Sequence, residues 1–465
     1  MACAALVLAL WVCASPAPTL ASTTDPFCTS SYGAADSAKP APFRFGIDPE
    51  LAGSVGLAQT ASKPENETLR LAALNALRPT GKELVLRVNR LFFSDGEAGI
   101  QHFQQLISQD TTAGFDVELQ VRYHPTPAED GNLSAWTAYV RHVVDVFGPN
   151  PRVVAMTITN ENNINISPNT SDGSYKSANQ ALIDGVIAAR QEADAHGWSR
   201  LKFGFTYAWR FLPTGDAAFW NALGAGGAAF RNALSFVGLD VYPGSFYPPV
   251  VAPPDDLRQE MVTAMATVRD CWMASAQLGA AVPIWITENG YPTTPVAHTE
   301  AEQAQSLAQM VDTVHAYAGA YGVSDYRWFN LRDNNSQGTG IFDNDGLLRD
   351  DYSPKPSFGE LRARIAAFGQ AAPAELAPPA PATPLPGATL PPSATRPAAH
   401  PKPRARCHPS RRHAKKHAKP RRPAHHAVNK PHRRHRPAHA KCRRAAHHRR
   451  AHKKHRTTQP HRDRA

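Results

Sequence analysis

Thr157-Ile-Thr-Asn160-Glu161-Asn and Ile284-Trp-Ile-Thr-Glu288-Asn-Gly-Tyr both run through β-branched and apolar residues into a glutamate. Each run reads as a buried strand, and a carboxylate at the end of such a strand is costly to place. The same kind of run recurs along the chain, at Phe43–Asp48, Glu83–Arg90, Phe115–Tyr123, Val153–Asn160, Leu201–Tyr207, Phe236–Tyr242, Ile284–Glu288 and Asp325–Leu331. Helical stretches alternate with these runs, at Glu65–Leu77, Gly99–Ile107, Leu133–Phe147, Ala178–His196, Leu257–Leu278, Glu300–Tyr317 and Ser357–Phe368. In Leu133–Phe147 the residues Trp136, Val140, Val143, Val144 and Phe147 share one face at the helical period. Eight strand runs alternating with helical stretches within roughly 330 residues predict an α/β fold, the (β/α)8 barrel. A doubly wound open sheet is the main alternative, but no glycine-rich phosphate loop follows the first run.

Barrel chemistry sits at the C-terminal strand ends. Here those ends are polar: Asp48, Arg87 with Asn89, His124, Asn160–Glu161, Tyr207, Tyr242, Glu288 and Trp328. The opposite ends have nothing comparable. One face of the barrel is therefore expected to be a functional mouth holding two glutamates. A proton donor paired with a nucleophile or base is what cleavage of a glycosidic bond requires.

The positions of these residues resemble the catalytic pattern of the large clan of retaining (β/α)8 glycoside hydrolases that includes the cellulase/mannanase-like family 5. The resemblance covers about residues 42–368. It implies Glu161, after Asn160 on the fourth strand, as general acid/base, and Glu288 on the seventh as nucleophile. It also implies substrate-site roles for several other residues. Arg87 in Val85-Leu-Arg87-Val-Asn would orient the nucleophile, and Tyr242 in Asp240-Val-Tyr242-Pro would contact it. Trp328 in Tyr326-Arg-Trp328-Phe would form the floor under the sugar. The segment Gly346-Leu-Leu-Arg-Asp-Asp-Tyr-Ser-Pro-Lys355-Pro resembles the lead into the clan's last helix. Asn162 stands where proline is commoner, and Asp240 where many family 5 members carry histidine, so the exact family stays open.

The chemistry of these side chains gives the same roles. Arg87 and Tyr242 would hold Glu288 ionised and fix its rotamer. The charge of Glu288 would keep Glu161 protonated until glycosylation removes that charge. Asn160 offers an amide to a sugar hydroxyl, and Trp328 an apolar face. His124, followed by Pro125, either lines the cleft or closes a turn. No cofactor and no metal are expected: Asp343-Asn-Asp345-Gly346 lacks the remaining spacing of a calcium loop and reads as a turn.

The net charge of +11 hides a segregation. Residues 396–465 hold 25 of the 50 Lys/Arg but one of the 39 Asp/Glu, giving a tail of +24 and a body of −13. Residues 1–21 read as a secretory signal, 22–41 as an N-terminal segment and 42–368 as the catalytic barrel. Residues 369–400 read as a Pro/Ala-rich linker and 401–465 as a disordered His/Arg/Lys-rich tail. No later stretch is long and apolar enough to span a membrane. Cysteine spacing is irregular, and a Cys28–Cys271 bridge stays open.

The expected protein is a secreted monomer with a carbohydrate substrate. It could be retained at the cell wall, its tail held by an anionic wall polymer or another polyanion. A carbohydrate-binding barrel without turnover, or a polyanion-binding protein acting through its tail, are the alternatives.

Overall fold

The computed structural model of the chain describes residues 35, 41–51, 61–209, 213–251, 256–293, 298–340 and 342–372. The expected signal, most of the expected N-terminal segment, nearly all of the expected linker and the whole expected tail lie outside them.

Eight parallel strands close into a barrel in sequence order. They are β1 (Arg44–Ile47), β2 (Val85–Phe92), β3 (Asp116–Arg122), β4 (Val153–Ile158), β5 (Lys202–Ala208), β6 (Phe236–Asp240), β7 (Ile284–Asn289) and β8 (Val323–Trp328). Each falls on one of the eight expected runs. Closure, through pairing of β1 with β8, excludes the open doubly wound sheet.

The outer helices are α1 (Glu67–Leu77), α2 (Gly96–Thr112), α3 (Leu133–Phe147), α4 (Ala178–Ala195), α5 (Pro213–Ala225), α6 (Gly227–Ala233), α7 (Leu257–Thr267), α8 (Met273–Ser275), α9 (Glu300–Tyr321) and α10 (Pro356–Phe368). A π-helical turn, Val268–Trp272, joins α7 to α8. The expected face of α3 is buried, with Tyr139 added to it. A reciprocal Thr299/Glu302 capping box starts α9. Gly322, at φ 64°, ends it in the left-handed conformation. The pair α5 and α6 was not expected. Glycines at 215, 224, 226 and 227 lower helix propensity there, and burial of Phe219, Trp220, Leu223 and Phe230 overrides them.

The barrel interior carries a chain of charges. Arg44 Nε meets Asp325 Oδ1 at 3.0 Å, and Arg327 Nη2 meets the same oxygen at 2.8 Å. Arg327 Nε continues to Glu118 Oε2 at 3.1 Å, and Arg87 Nε lies 3.4 Å from Glu118 Oε1. Thr157 Oγ1 donates to Glu118 Oε1 at 2.9 Å. Arg87, Glu118 and Arg327 are fully buried. Gly46 makes room for this chain, because a Cβ there would collide with the Arg327 side chain and the Val85 carbonyl. Glu118→Ala would leave two buried guanidiniums short of their shared partner. It should destabilise the fold by about 3–5 kcal/mol, read as a lower denaturant midpoint at unchanged m-value.

Cys271 is disulfide-bonded. No other cysteine lies among the described residues, so its partner is outside them. No helix among the described residues is long and apolar enough to cross a membrane.

Candidate active site

The loop after β4 sets the first glutamate. Thr159 and Glu161 take φ of 68° and 47°, a region costly for residues with a Cβ. The surroundings enforce this geometry. Asn160 N donates to Asp172 Oδ2 at 2.9 Å, and Glu161 N donates to Thr206 Oγ1 at 3.0 Å. Asn160 Oδ1 accepts from Gln120 Nε2 at 2.7 Å and Thr206 Oγ1 at 2.9 Å, while its Nδ2 donates to the Thr170 carbonyl at 2.8 Å. Asp172 is fixed in turn by Arg122, whose Nη2 lies 2.7 Å away.

The second glutamate is the penultimate residue of β7 and is 8% exposed. Arg87 Nη1 donates to Glu288 Oε1 at 2.7 Å, and Tyr242 OH donates to Oε2 at 2.8 Å. Both oxygens are thereby oriented. Burial opposes the charge on Arg87, but Glu288, Asp240, Glu118 and Asp48 outweigh it and push the guanidinium pKa up. Burial, then Glu288, pushes the Tyr242 phenol well up, so it remains a donor.

A third carboxyl joins the pair. Oxygens of Glu161, Asp240 and Glu288 lie within 4.8 Å of one another. Burial most, then Asp240, then Glu288, holds Glu161 well above the usual carboxylate range. A carboxyl shifted in this direction is better suited to donate a proton.

One aromatic expectation changes. Trp328 is fully buried in the main core cluster, so its ring is closed to a sugar and cannot be the floor. The next residue, Phe329, instead packs edge-on against Tyr242 with ring centroids 6.3 Å apart. Phe246 and Phe342 complete this cluster. His124 stacks on Phe92 at 4.2 Å and shares a 3.2 Å hydrogen bond with Ser94. Burial lowers its pKa, and it has no hydrogen bond to either glutamate.

Asp343-Asn-Asp345-Gly346 packs around an internal cation. Lys355 Nζ donates to Asp333 Oδ1 at 2.7 Å, Thr293 Oγ1 at 3.0 Å and the Asn344 carbonyl at 3.1 Å. The other acidic group with metal-binding spacing, Asp145, Glu192 and His196, is knit by its own bond, His196 to Asp145 at 2.8 Å.

Sequence reading missed Gln120, Asp172, Thr206 and Phe329 in this site. Gln120 left a signal, because Glu118, Gln120 and Arg122 alternate with valines and a leucine along β3. Asp172 and Thr206 are brought in only by the fold.

Fold and site together define a (β/α)8 barrel whose mouth holds a close pair of glutamate carboxyls. No family model matches the chain, and no curated protein matches it. Its fold is similar to those of solved (β/α)8 glycoside hydrolases. One is the family 1 β-glucosidase from Thermotoga maritima, at 15% identity and TM-score 0.52, covering 72% of this chain and 100% of that one. Another is GH5_18 from Streptomyces cattleya in complex with GlcNAc, at 14% identity and TM-score 0.50, covering 71% and 81%. The chain spans 63% of a family 39 glycoside hydrolase from Bacteroides cellulosilyticus WH2, with 70% of this chain covered, 16% identity and TM-score 0.46.

Proposed function

We propose that this chain is a secreted glycosidase that cleaves β-linked saccharides with retention of configuration. The observation that carries the reading is the carboxyl pair in two unlike environments. Glu288 accepts from a guanidinium and a phenol. Glu161 is a half-buried acid pushed toward its protonated form. The close approach of their oxygens, within 4.8 Å, supports the spacing of about 5–5.5 Å between carboxyl groups in retaining enzymes over the wider one of inverting enzymes.

Glu288 attacks the anomeric carbon as the glycosidic C–O bond breaks, and Glu161 gives its proton to the departing oxygen. The product of this step is a glycosyl ester on Glu288. Loss of the Glu288 charge then weakens the hold on later protons at Glu161. Its carboxylate takes a proton from water, the water oxygen attacks the anomeric carbon, and the ester bond breaks to restore both carboxyls. The remaining N–H of Asn160 can reach a sugar hydroxyl, and His124 and Phe329 are the further candidates for sugar contact.

The test is a panel of β-linked aryl glycosides given to the full chain, with the first-formed anomer read by proton NMR. A β product is expected. An α product, or no turnover of any glycoside, overturns the reading. A carbohydrate-binding barrel without turnover would leave the hydrogen bonds to Glu288 without a purpose. Secretion is supported by the N-terminal sequence and by the Cys271 disulfide, a bond that persists in oxidising compartments.

The +24 tail carries a second proposal, attachment to an anionic wall polymer or other polyanion. Removing residues 396–465 should leave kcat on small glycosides unchanged and abolish salt-sensitive retention on purified cell wall. Equal, salt-independent retention of both forms would show that the tail is no anchor.

A further inference from the structure

The acidic centre holds one carboxyl more than the two-step reaction uses. Asp240 ends β6 and pairs across the sheet with Glu288. It is 1% exposed, which closes it to a saccharide. Its Oδ1 accepts from Thr287 Oγ1 at 2.6 Å. Its Oδ2 is buried with no hydrogen-bond partner among the described residues. That carboxyl lies within 4.8 Å of oxygens of both Glu161 and Glu288.

We propose that Asp240 is a positioning residue that acts through Glu161, holding that carboxyl in its acid form until the leaving group takes the proton. The proposal rests on the retaining reading above. The charges facing Glu161 come from Arg87 on β2, Arg122 on β3, Asp240 on β6 and Glu288 on β7. The neighbouring strands add neutral groups, Asn160 after β4 and Thr206 on β5. Tyr242 after β6 donates to Glu288. Asp48 after β1 and Asp345 beyond β8 interact with Glu288 as well.

After burial, the charge of Asp240 is the largest influence raising Glu161, ahead of Glu288. Asp240 is itself raised by burial and by Glu288, but Arg87 and the Thr287 and Thr206 hydroxyls favour its ion. In the proposed arrangement Asp240 carries the negative charge that faces the Glu161 carboxyl, within 4.8 Å of it. Glycosylation of Glu288 removes one of the two charges and leaves the other. Glu161, having given its proton to the leaving group, thus stays ionised in the glycosyl-enzyme yet remains a strong base for the water step. Asp240 makes and breaks no bond in either step.

The experiment compares kcat/KM against pH for the full chain and for Asp240→Asn. The substrates are phenyl and 2,4-dinitrophenyl β-glycosides of a sugar the wild type hydrolyses. With the phenyl leaving group, the alkaline limb of Asp240→Asn should move down by about one pH unit, a tenfold loss of proton affinity. With the dinitrophenyl group, which needs no protonation, kcat/KM should stay within about threefold. Should Asp240→Asn not fold, Thr287→Val weakens the Asp240 ion instead and should move the same limb the same way. An unmoved limb, or an equal fall on both substrates, assigns Asp240 a packing role and overturns the proposal alone. A wild type that turns over no glycoside overturns the retaining reading, and the proposal with it.

Discussion

Glu288→Gln should lose turnover on every glycoside, whatever its leaving group, by on the order of 10⁴-fold or more. The amide has nearly the shape of the carboxylate but no charge to form the ester. Its carbonyl still accepts from Arg87, and its NH2 can donate to the Tyr242 oxygen in place of the bond Tyr242 now gives at 2.8 Å. The barrel should therefore stay folded. Arg87 would keep Glu118 on its other edge, at 3.4 Å, so its charge would not be left alone. Thermal unfolding beside the kinetics separates the two effects: Tm should shift by a few degrees while kcat falls to background. A good leaving group cannot rescue this variant, because the nucleophile serves both phenyl and dinitrophenyl substrates. Wild-type kcat on any glycoside would mean that another group attacks the anomeric carbon.

The barrel was legible because its strands and helices differ in period. Each strand run is short and β-branched, and residues such as those on the buried face of α3 recur at the helical spacing. The site was legible only at its strand ends. Arg87 with Asn89 on β2, Glu118 with Gln120 and Arg122 on β3, and Asp325 with Arg327 on β8 alternate with apolar residues. Alternation of that kind ordinarily marks a strand with one face in water. Here the polar face points into the barrel, and only non-local pairing of the charges makes that face habitable. The Trp328 expectation failed for a related reason. Successive residues of a strand point to opposite sides, so one residue decides whether a ring packs in the core, as Trp328 does, or beside Tyr242, as Phe329 does. Thr206, Asp172 and Asp240 act on Glu161 across 45, 11 and 79 positions of sequence, and no local pattern announces them.

Glu161→Ala should divide substrates by their leaving groups. Phenyl glycosides, whose departing oxygen needs a proton, should lose about 10²–10⁴-fold in kcat/KM. Dinitrophenyl glycosides should keep kcat/KM near wild type, since that anion leaves unaided. Their kcat should still fall, because no base activates water in the second step and the glycosyl ester on Glu288 accumulates. A burst of dinitrophenolate followed by a slow steady state is the expected trace. The substitution also removes a carboxyl beside Asp240 and Glu288, within 4.8 Å of both. That opens space and lessens negative charge where a small anion can enter. Azide needs no base to attack the ester, so it should restore the steady-state rate and leave as a β-glycosyl azide. The configuration of that product is a second readout of retention. An α-azide would place the attack on the wrong face. A variant that treats both leaving groups alike, with no burst and no azide effect, would remove Glu161 from the acid/base role.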